Sequence, residues 1–230
     1  MRTDFYTDIG GRAINEDSVY VKSDDNKGLL IVADGLGGHG GGDLASQTAV
    51  RVVSSKLDTS DADDDVILDA ICDASGEIAG KYPKSRTTIA LVLIRDGSAY
   101  AAHVGDTRIY QFRDGKIIYQ SKDHSMCQMY VTMGEISVDQ IRGHVDRNKL
   151  LRALGEDENV RVELNEISVM PGDAFLLCSD GFWENIVEDE MIDSLNQSGS
   201  VNEWLSKMRE IVAGKQNSES DNNTAAVCIA

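Results

Sequence analysis

Three aspartates stand where a strand-like apolar run begins or gives out. Asp34 closes "LLIVAD", Asp180 closes "FLLCSD", and Asp221 precedes "TAAVCIA". Asp34 and Asp180 are each followed by glycine, and Asp-Gly at a strand end ordinarily makes a tight hairpin. Neither place fits one: more glycine and then a helical pattern follow Gly35, and the helical pattern "FWENIVEDEMIDSL" follows Gly181. Carboxylates at the ends of central strands converge at one rim of a sheet. Three unit charges about 5 Å apart, at an effective dielectric near 20, repel by roughly 3 kcal/mol per pair. The sum rivals a domain's whole stability of roughly 5–15 kcal/mol, so protonation or a metal must relieve it. All-oxygen ligation with help from a backbone carbonyl suits hard divalent ions, Mg²⁺ or Mn²⁺. Bare Gly35 beside Asp34 lets a carbonyl reach such an ion.

The loop "VADGLGGHGGGDLAS" raises a rival. Gly35, Gly37 and Gly40 satisfy the dinucleotide fingerprint G-x-G-x-x-G after a strand and before a helix. Asp34 would aim a negative charge at the pyrophosphate, "DTSDADDDV" reads as a loop where the second strand should lie, and the strands are not spaced for βαβ units. No GK[ST] is present for a phosphate loop. The metal reading is preferred. His39, among glycines that offer nothing to pack against, is a candidate general acid poised near neutral pH, or a surface residue without duty. Upstream, "GGRAINED" supplies Arg12, which can fork onto an oxyanion, and Glu16 and Asp17, which can hold metal-ligated waters.

The elements that must position these residues are short. Strand-like runs dominate: "DSVYVKS", "GLLIVAD", "TTIALVLI", "SAYAAHVGD", "RIYQFRDG", "KIIYQS", "VELNEISV", "DAFLLCSD" and "TAAVCIA". "FRDGKI" is a two-residue hairpin signal. Apolar stripes at helical spacing cover residues 43–57 and 65–80, and helices also fit 184–195 and 201–213. Strands in hairpin-rich blocks with helices grouped between them predict an α+β layered sandwich rather than a doubly wound parallel sheet. Residues 124–150, polar and Met-rich, suit a flap insertion better than core. Length and 41% hydrophobic content predict one domain over 1–230.

Lys+Arg 22 against Asp+Glu 39 gives a formal charge of −17, which disfavours nucleic acid and anionic membranes as partners. The four cysteines are far apart, without CxxC, and are expected to be reduced in a cytoplasmic protein. The N-terminus has no apolar signal region, and no apolar run approaches the roughly 18 residues of a membrane span.

In order, "GGRAINED", "VADGLGGHGGGDLAS", "TTIALVLI", "AHVGDTRIY", "KDHS", "LLRALG", "LLCSDGFWENI" and "SDNNTAAVCIA" resemble the metal-dependent PP2C (PPM) family of serine/threonine protein phosphatases, in its bacterial stand-alone form. The match spans nearly all of the chain. The resemblance implies a four-layer αββα sandwich, two packed, mostly antiparallel sheets flanked by helices. It implies that Asp34 bridges two Mn²⁺ or Mg²⁺ ions, that the Gly35 carbonyl and the Asp180 and Asp221 carboxylates are direct ligands, and that Asp17, with Glu16, acts through bound water. Arg12 matches the phosphate-binding arginine and His39 the histidine that protonates the leaving group. Asp106 matches a position that joins Asp180 at a third, weaker ion. Hydrolysis by a water activated between two ions is the implied reaction, with phosphoproteins, targets of a serine/threonine kinase, as substrates and a monomer as the expected state. Departures are Arg86 in place of glycine before the "TT" pair, Thr107 in "GDTR" and Asn223 in "SDNNT". A non-catalytic module on the same fold, a regulatory-phosphoprotein phosphatase and a small-phosphoester phosphatase remain the alternatives.

Overall fold

The computed structural model describes residues 1–37, 41–58 and 62–230. The chain opens with strands β1 (Arg2–Asp8), β2 (Ser18–Ser23) and β3 (Lys27–Ala33), then a two-residue strand β4 (Gly35–Leu36). Helices α1 (Gly42–Leu57) and α2 (Asp64–Lys81) follow. Next come β5 (Arg86–Thr87), β6 (Ile89–Arg95), β7 (Ser98–Val104), β8 (Arg108–Arg113) and β9 (Lys116–Gln120). Helix α3 (Met126–Met133) and a 3₁₀ turn (Val138–Gly143) precede β10 (Glu163–Ser168) and β11 (Ala174–Cys178). The remainder is α4 (Asp180–Trp183), α5 (Glu188–Asn196), α6 (Val201–Lys215) and β12 (Asn223–Ile229).

Two five-stranded antiparallel sheets form, ordered β1-β12-β11-β8-β9 and β10-β7-β6-β3-β2. Side chains alternate across a strand, so a strand buried on both faces reads as a continuous apolar run. In β3, Leu30 and Val32 point between the sheets, where they meet Val92, Ile109, Phe175, Leu177 and Ala226. Leu29 and Ile31 point the other way, onto Ala45, Ala49, Val53, Ile67 and Ile71 of α1 and α2. Beyond the first sheet, Tyr110, Phe112, Leu176 and Val227 pack on Trp204, Leu205 and Met208 of α6. Three separate apolar layers therefore bind four structural ones, the expected αββα sandwich.

The hairpin at Asp114-Gly115 has positive φ at both residues, 50° and 70°, as a two-residue turn with this twist requires. The sequence reading missed β1, whose residues alternate between half-buried and exposed and carry no apolar run. Its register is set from far away, by pairing with β12 from Arg2↔Ile229 to Asp8↔Asn223. The acidic stretch read as a loop is partly a helix start: Asp63 caps α2 by accepting from the Val66 N–H, and Asp64 and Asp65 face the positive end of the helix dipole. The flap reading for 124–150 also needs correction on its inner face. Cys127 and Ile141 are buried in the same apolar layer as Trp183 and Trp204, so these two side chains belong to the core.

Candidate metal centre

Strand register carries the acidic residues to one end of the sandwich. Ala33 pairs with Ser18, so Asp34, after β3, and Asp17, before β2, leave from the same rim. Cys178 pairs with Ala225, which brings Asp180, after β11, beside Asp221, before β12. Val104 pairs with Ile89, which places Asp106, after β7, at that end too. Asp8 pairs with Asn223, so the loop carrying Arg12 and Glu16 starts there as well. Residues scattered over more than two hundred positions thus line one cavity of about 390 Å³: Arg12, Glu16, Asp34, Gly35, Asp106, Asp180 and Asp221. Asp17 lies behind it, buried. His39 falls outside the described residues.

Local bonds fix each group. The Asp34 backbone is pinned by its N–H to Thr88 Oγ1 (3.0 Å) and by its carbonyl, which accepts from the Thr88 N–H and Thr87 Oγ1 (both 2.8 Å). Its carboxylate is thereby left for the cavity. Gly35 donates to the Glu16 carbonyl at 3.1 Å, and a Cβ there would stand 2.2 Å from the Gly42 carbonyl oxygen. Only a bare residue fits where β4 runs against the start of α1. Gly181 is under the same constraint, since its Cβ would lie 2.1 Å from the Asn222 carbonyl oxygen. This close approach holds Asp180 against the Asp221 segment.

Asn222 is a residue the sequence reading did not single out. Its Oδ1 accepts from the Glu16 N–H, and its Nδ2 donates to the Ile9 and Ile14 carbonyls, so one side chain braces the whole 9–16 loop. Trp183, also missed, donates from Nε1 to the Asp106 carbonyl at 3.0 Å and lies under the Arg108 guanidinium at 3.5 Å. Arg108 is itself held by two hydrogen bonds to Asp123 in a buried pair. Nothing local in the sequence announces these bonds, which join elements tens of residues apart. Ser179 donates to Asp17 Oδ2 and accepts from the Thr224 N–H, so its hydroxyl is committed on both sides. Arg86, the departure before the "TT" pair, sits in β5 opposite Leu36.

The electrostatics of the cavity are those of a cation site. One guanidinium faces five carboxylates in its lining. Burial, followed by repulsion from Asp180, Asp17, Asp106 and Asp221, holds the Asp34 carboxyl well above the ordinary range. Asp106 is raised in the same way by burial and by Asp180. Burial, then Glu184, Asp221 and Asp17, push Asp180 up to about 7. Asp17 is pushed up to about 6, burial again leading, and its Oδ1 is buried without a hydrogen-bond partner. Glu16 rises more mildly through burial, against the Gly42 N–H that stabilises its charge. Buried acceptors without donors and like charges crowded together are the condition that a divalent ion relieves. The all-oxygen donor set fits hard ions. Arg12 meets Asp221 at 2.7 Å in a largely exposed pair, which costs little to break.

Among the described residues, the only three potential ligands with donor atoms all within 4.8 Å of one another are His103, His124 and Glu163, away from this cavity. Their geometry does not suit an ion. The two imidazoles stack with centroids 4.5 Å apart and planes 12° from parallel, and an ion cannot lie in both ring planes at once. His124 instead reinforces the Gly105 turn, accepting the Gly105 N–H at Nδ1 while its own N–H donates to the Gly105 carbonyl. His103, in β7, bonds the Lys122 carbonyl through Nε2 and leaves Nδ1 without a hydrogen-bond partner. Among the described residues, no three carboxylates of the ring have donor atoms all within 4.8 Å of one another. Such spacing would suit a donor set divided between two ions, as the resemblance implied, rather than gathered on one.

Known proteins give the same picture. The family model described as Protein phosphatase 2C matches residues 8–221. The serine/threonine phosphatase stp of Listeria welshimeri is 34% identical over 218 residues, covering 88% of this chain and 86% of that protein. The crystal structure of the Mycobacterium tuberculosis serine/threonine phosphatase PstP superposes with a TM-score of 0.87 at 30% identity, covering 98% of this chain and 97% of that one. A catalytic domain of PstP in complex with two manganese ions superposes with a TM-score of 0.85 at 26% identity, covering 100% and 98%. With these acidic strand ends around one cavity and the match extending over most of its length, the chain belongs to the protein phosphatase 2C family.

Proposed function

We infer that this chain is a metal-dependent protein phosphatase acting on phosphoserine and phosphothreonine. The observation that carries the reading is the ring of five carboxylates and one arginine around a single cavity in a chain of this family. Bound at the ring, two Mn²⁺ or Mg²⁺ ions supply Lewis acidity, making water nucleophilic at neutral pH and offsetting phosphoryl charge. Asp34, between the other carboxylates, is assigned the shared position, with the Gly35 carbonyl, Asp180 and Asp221 as further direct ligands. Asp17 and Glu16 hold waters, and Asp106 with Asp180 offers a third, weaker position. Arg12 swings from Asp221 to hold two phosphoryl oxygens, a move its exposure allows. His39 is assigned the proton given to the departing serine or threonine oxygen, a contribution of roughly 10²–10⁴-fold.

Residues 1–230 are read as one catalytic unit. Phosphoproteins made by a serine/threonine kinase are the proposed substrates, and a cytoplasmic monomer the proposed state. All four cysteines are free, as a reducing compartment keeps them. No helix among the described residues is long and apolar enough to cross a membrane. The test is hydrolysis of phosphoserine, phosphothreonine and phosphotyrosine peptides titrated with Mn²⁺ and Mg²⁺. Turnover that appears with the ion and disappears with EDTA is expected. Turnover that survives the chelator would refute the reading.

A further inference from the structure

The wall of the cavity is not acidic all round. Ala13, Ile14, Leu36 and Leu150 line it together with the carboxylates. Ile14 is 53% exposed and Leu36 37% exposed, although both are large and apolar. A phosphoryl group held at the ring needs charge and hydrogen bonds, so these side chains must meet something else. We propose that they form a subsite for an apolar side chain next to the phosphorylated residue, so that the preferred substrates are phosphopeptides with a bulky aliphatic or aromatic neighbour. This rests on the phosphatase reading above.

Three facts favour an occupant from the substrate itself. Consecutive Cα atoms lie 3.8 Å apart, so a residue adjoining an anchored phosphothreonine falls at the mouth of the same cavity. The apolar side chains line the same cavity as the acidic ring. The wall is also held rigid by backbone, from three elements. The Ile14 carbonyl accepts from Asn222 Nδ2 at 3.1 Å, Leu36 pairs with Arg86 in the β4–β5 ladder, and Leu150 bridges Ser125. A preformed apolar wall loses little entropy when a side chain seats on it. An acidic neighbour, by contrast, would enter beside five carboxylates in a chain of charge −17 and be repelled.

The test compares kcat/KM, at saturating Mn²⁺, for three heptapeptides that differ only in the residues on both sides of phosphothreonine: leucine, glycine or aspartate. The leucine peptide is expected to exceed the glycine peptide by about tenfold, the scale of one well-seated apolar contact, with the aspartate peptide lowest. Ile14→Ser and Leu36→Ser should each shrink the leucine-to-glycine ratio towards unity. Ile14→Lys should raise the aspartate peptide relative to leucine, a gain that misfolding cannot mimic. Equal rates on the leucine and glycine peptides in the wild type, or a ratio that the substitutions leave unchanged, would overturn the subsite while leaving the phosphatase reading intact. Absence of Mn²⁺-dependent turnover on all three peptides and on p-nitrophenyl phosphate would overturn both.

Discussion

Replacing Asp180 with asparagine should make the metal-free protein more stable while removing its response to metal. The folded protein holds the Asp180 carboxyl near pH 7, against 3.8 for the free side chain. At 1.36 kcal/mol per unit, ionising it inside the cavity costs about 4 kcal/mol at pH 8, and solvent at the mouth lowers this to about 2–3 kcal/mol. The sign follows from linkage: an acid whose folded pKa is raised favours the folded state when protonated. The penalty is absent below about pH 4, grows as pH rises towards 7, and is constant above that. Asparagine keeps the shape and never ionises. At about 2–4 °C per kcal/mol for a chain of this size, EDTA-treated Asp180→Asn should melt roughly 5–10 °C above wild type at pH 8. At pH 5, where under half of the penalty remains, the difference should shrink to about 2–4 °C. Adding Mn²⁺ should then raise the wild type strongly, by about 2.7 kcal/mol at a hundred times the dissociation constant, and the variant much less. Differential scanning calorimetry at the two pH values checks all of this. A variant that melts at or below wild type at pH 8, or gains equally at pH 5, would refute the claim that crowded charge is what the ions relieve.

Other outcomes follow from the same geometry. Gly35→Ala should destabilise the protein by several kcal/mol or force β4 away from α1, because its Cβ would stand 2.2 Å from the Gly42 carbonyl oxygen; urea unfolding and Mn²⁺ calorimetry both read this. Arg12→Ala should leave the melting temperature within about 2 °C of wild type, since the exposed pair with Asp221 is worth under about 1 kcal/mol, yet cut kcat/KM on phosphopeptides at least tenfold. His39→Ala should slow phosphopeptide turnover by about 10²–10⁴-fold without abolishing it or weakening Mn²⁺ binding.

The strand ends carrying Asp34, Asp180 and Asp221 were legible because each combines an apolar run, an acidic residue and a break that cannot be a hairpin. The layers were legible because doubly buried strands and one-sided helices leave different periods in the chain. What escaped was set by distance. The Arg2–Asp8 strand carries no apolar pattern of its own and is fixed by β12. Asn222 and Trp183 act through single hydrogen bonds to backbone that only the folded chain brings near. The inner face of the 124–150 segment looked polar because just two of its apolar residues, Cys127 and Ile141, are fully buried.

The pairing of β1 with β12 reaches beyond architecture. A ribosome delivers Arg12, Asp17 and Asp34 early, but the strand that holds Asp221 and Asn222 in place emerges about two hundred residues later. Until then the first sheet lacks the member that pairs β1 with β11. Such long-range closure is slow compared with forming helices. A nascent chain therefore has no competent centre, and catalysis switches on only once translation has passed β12.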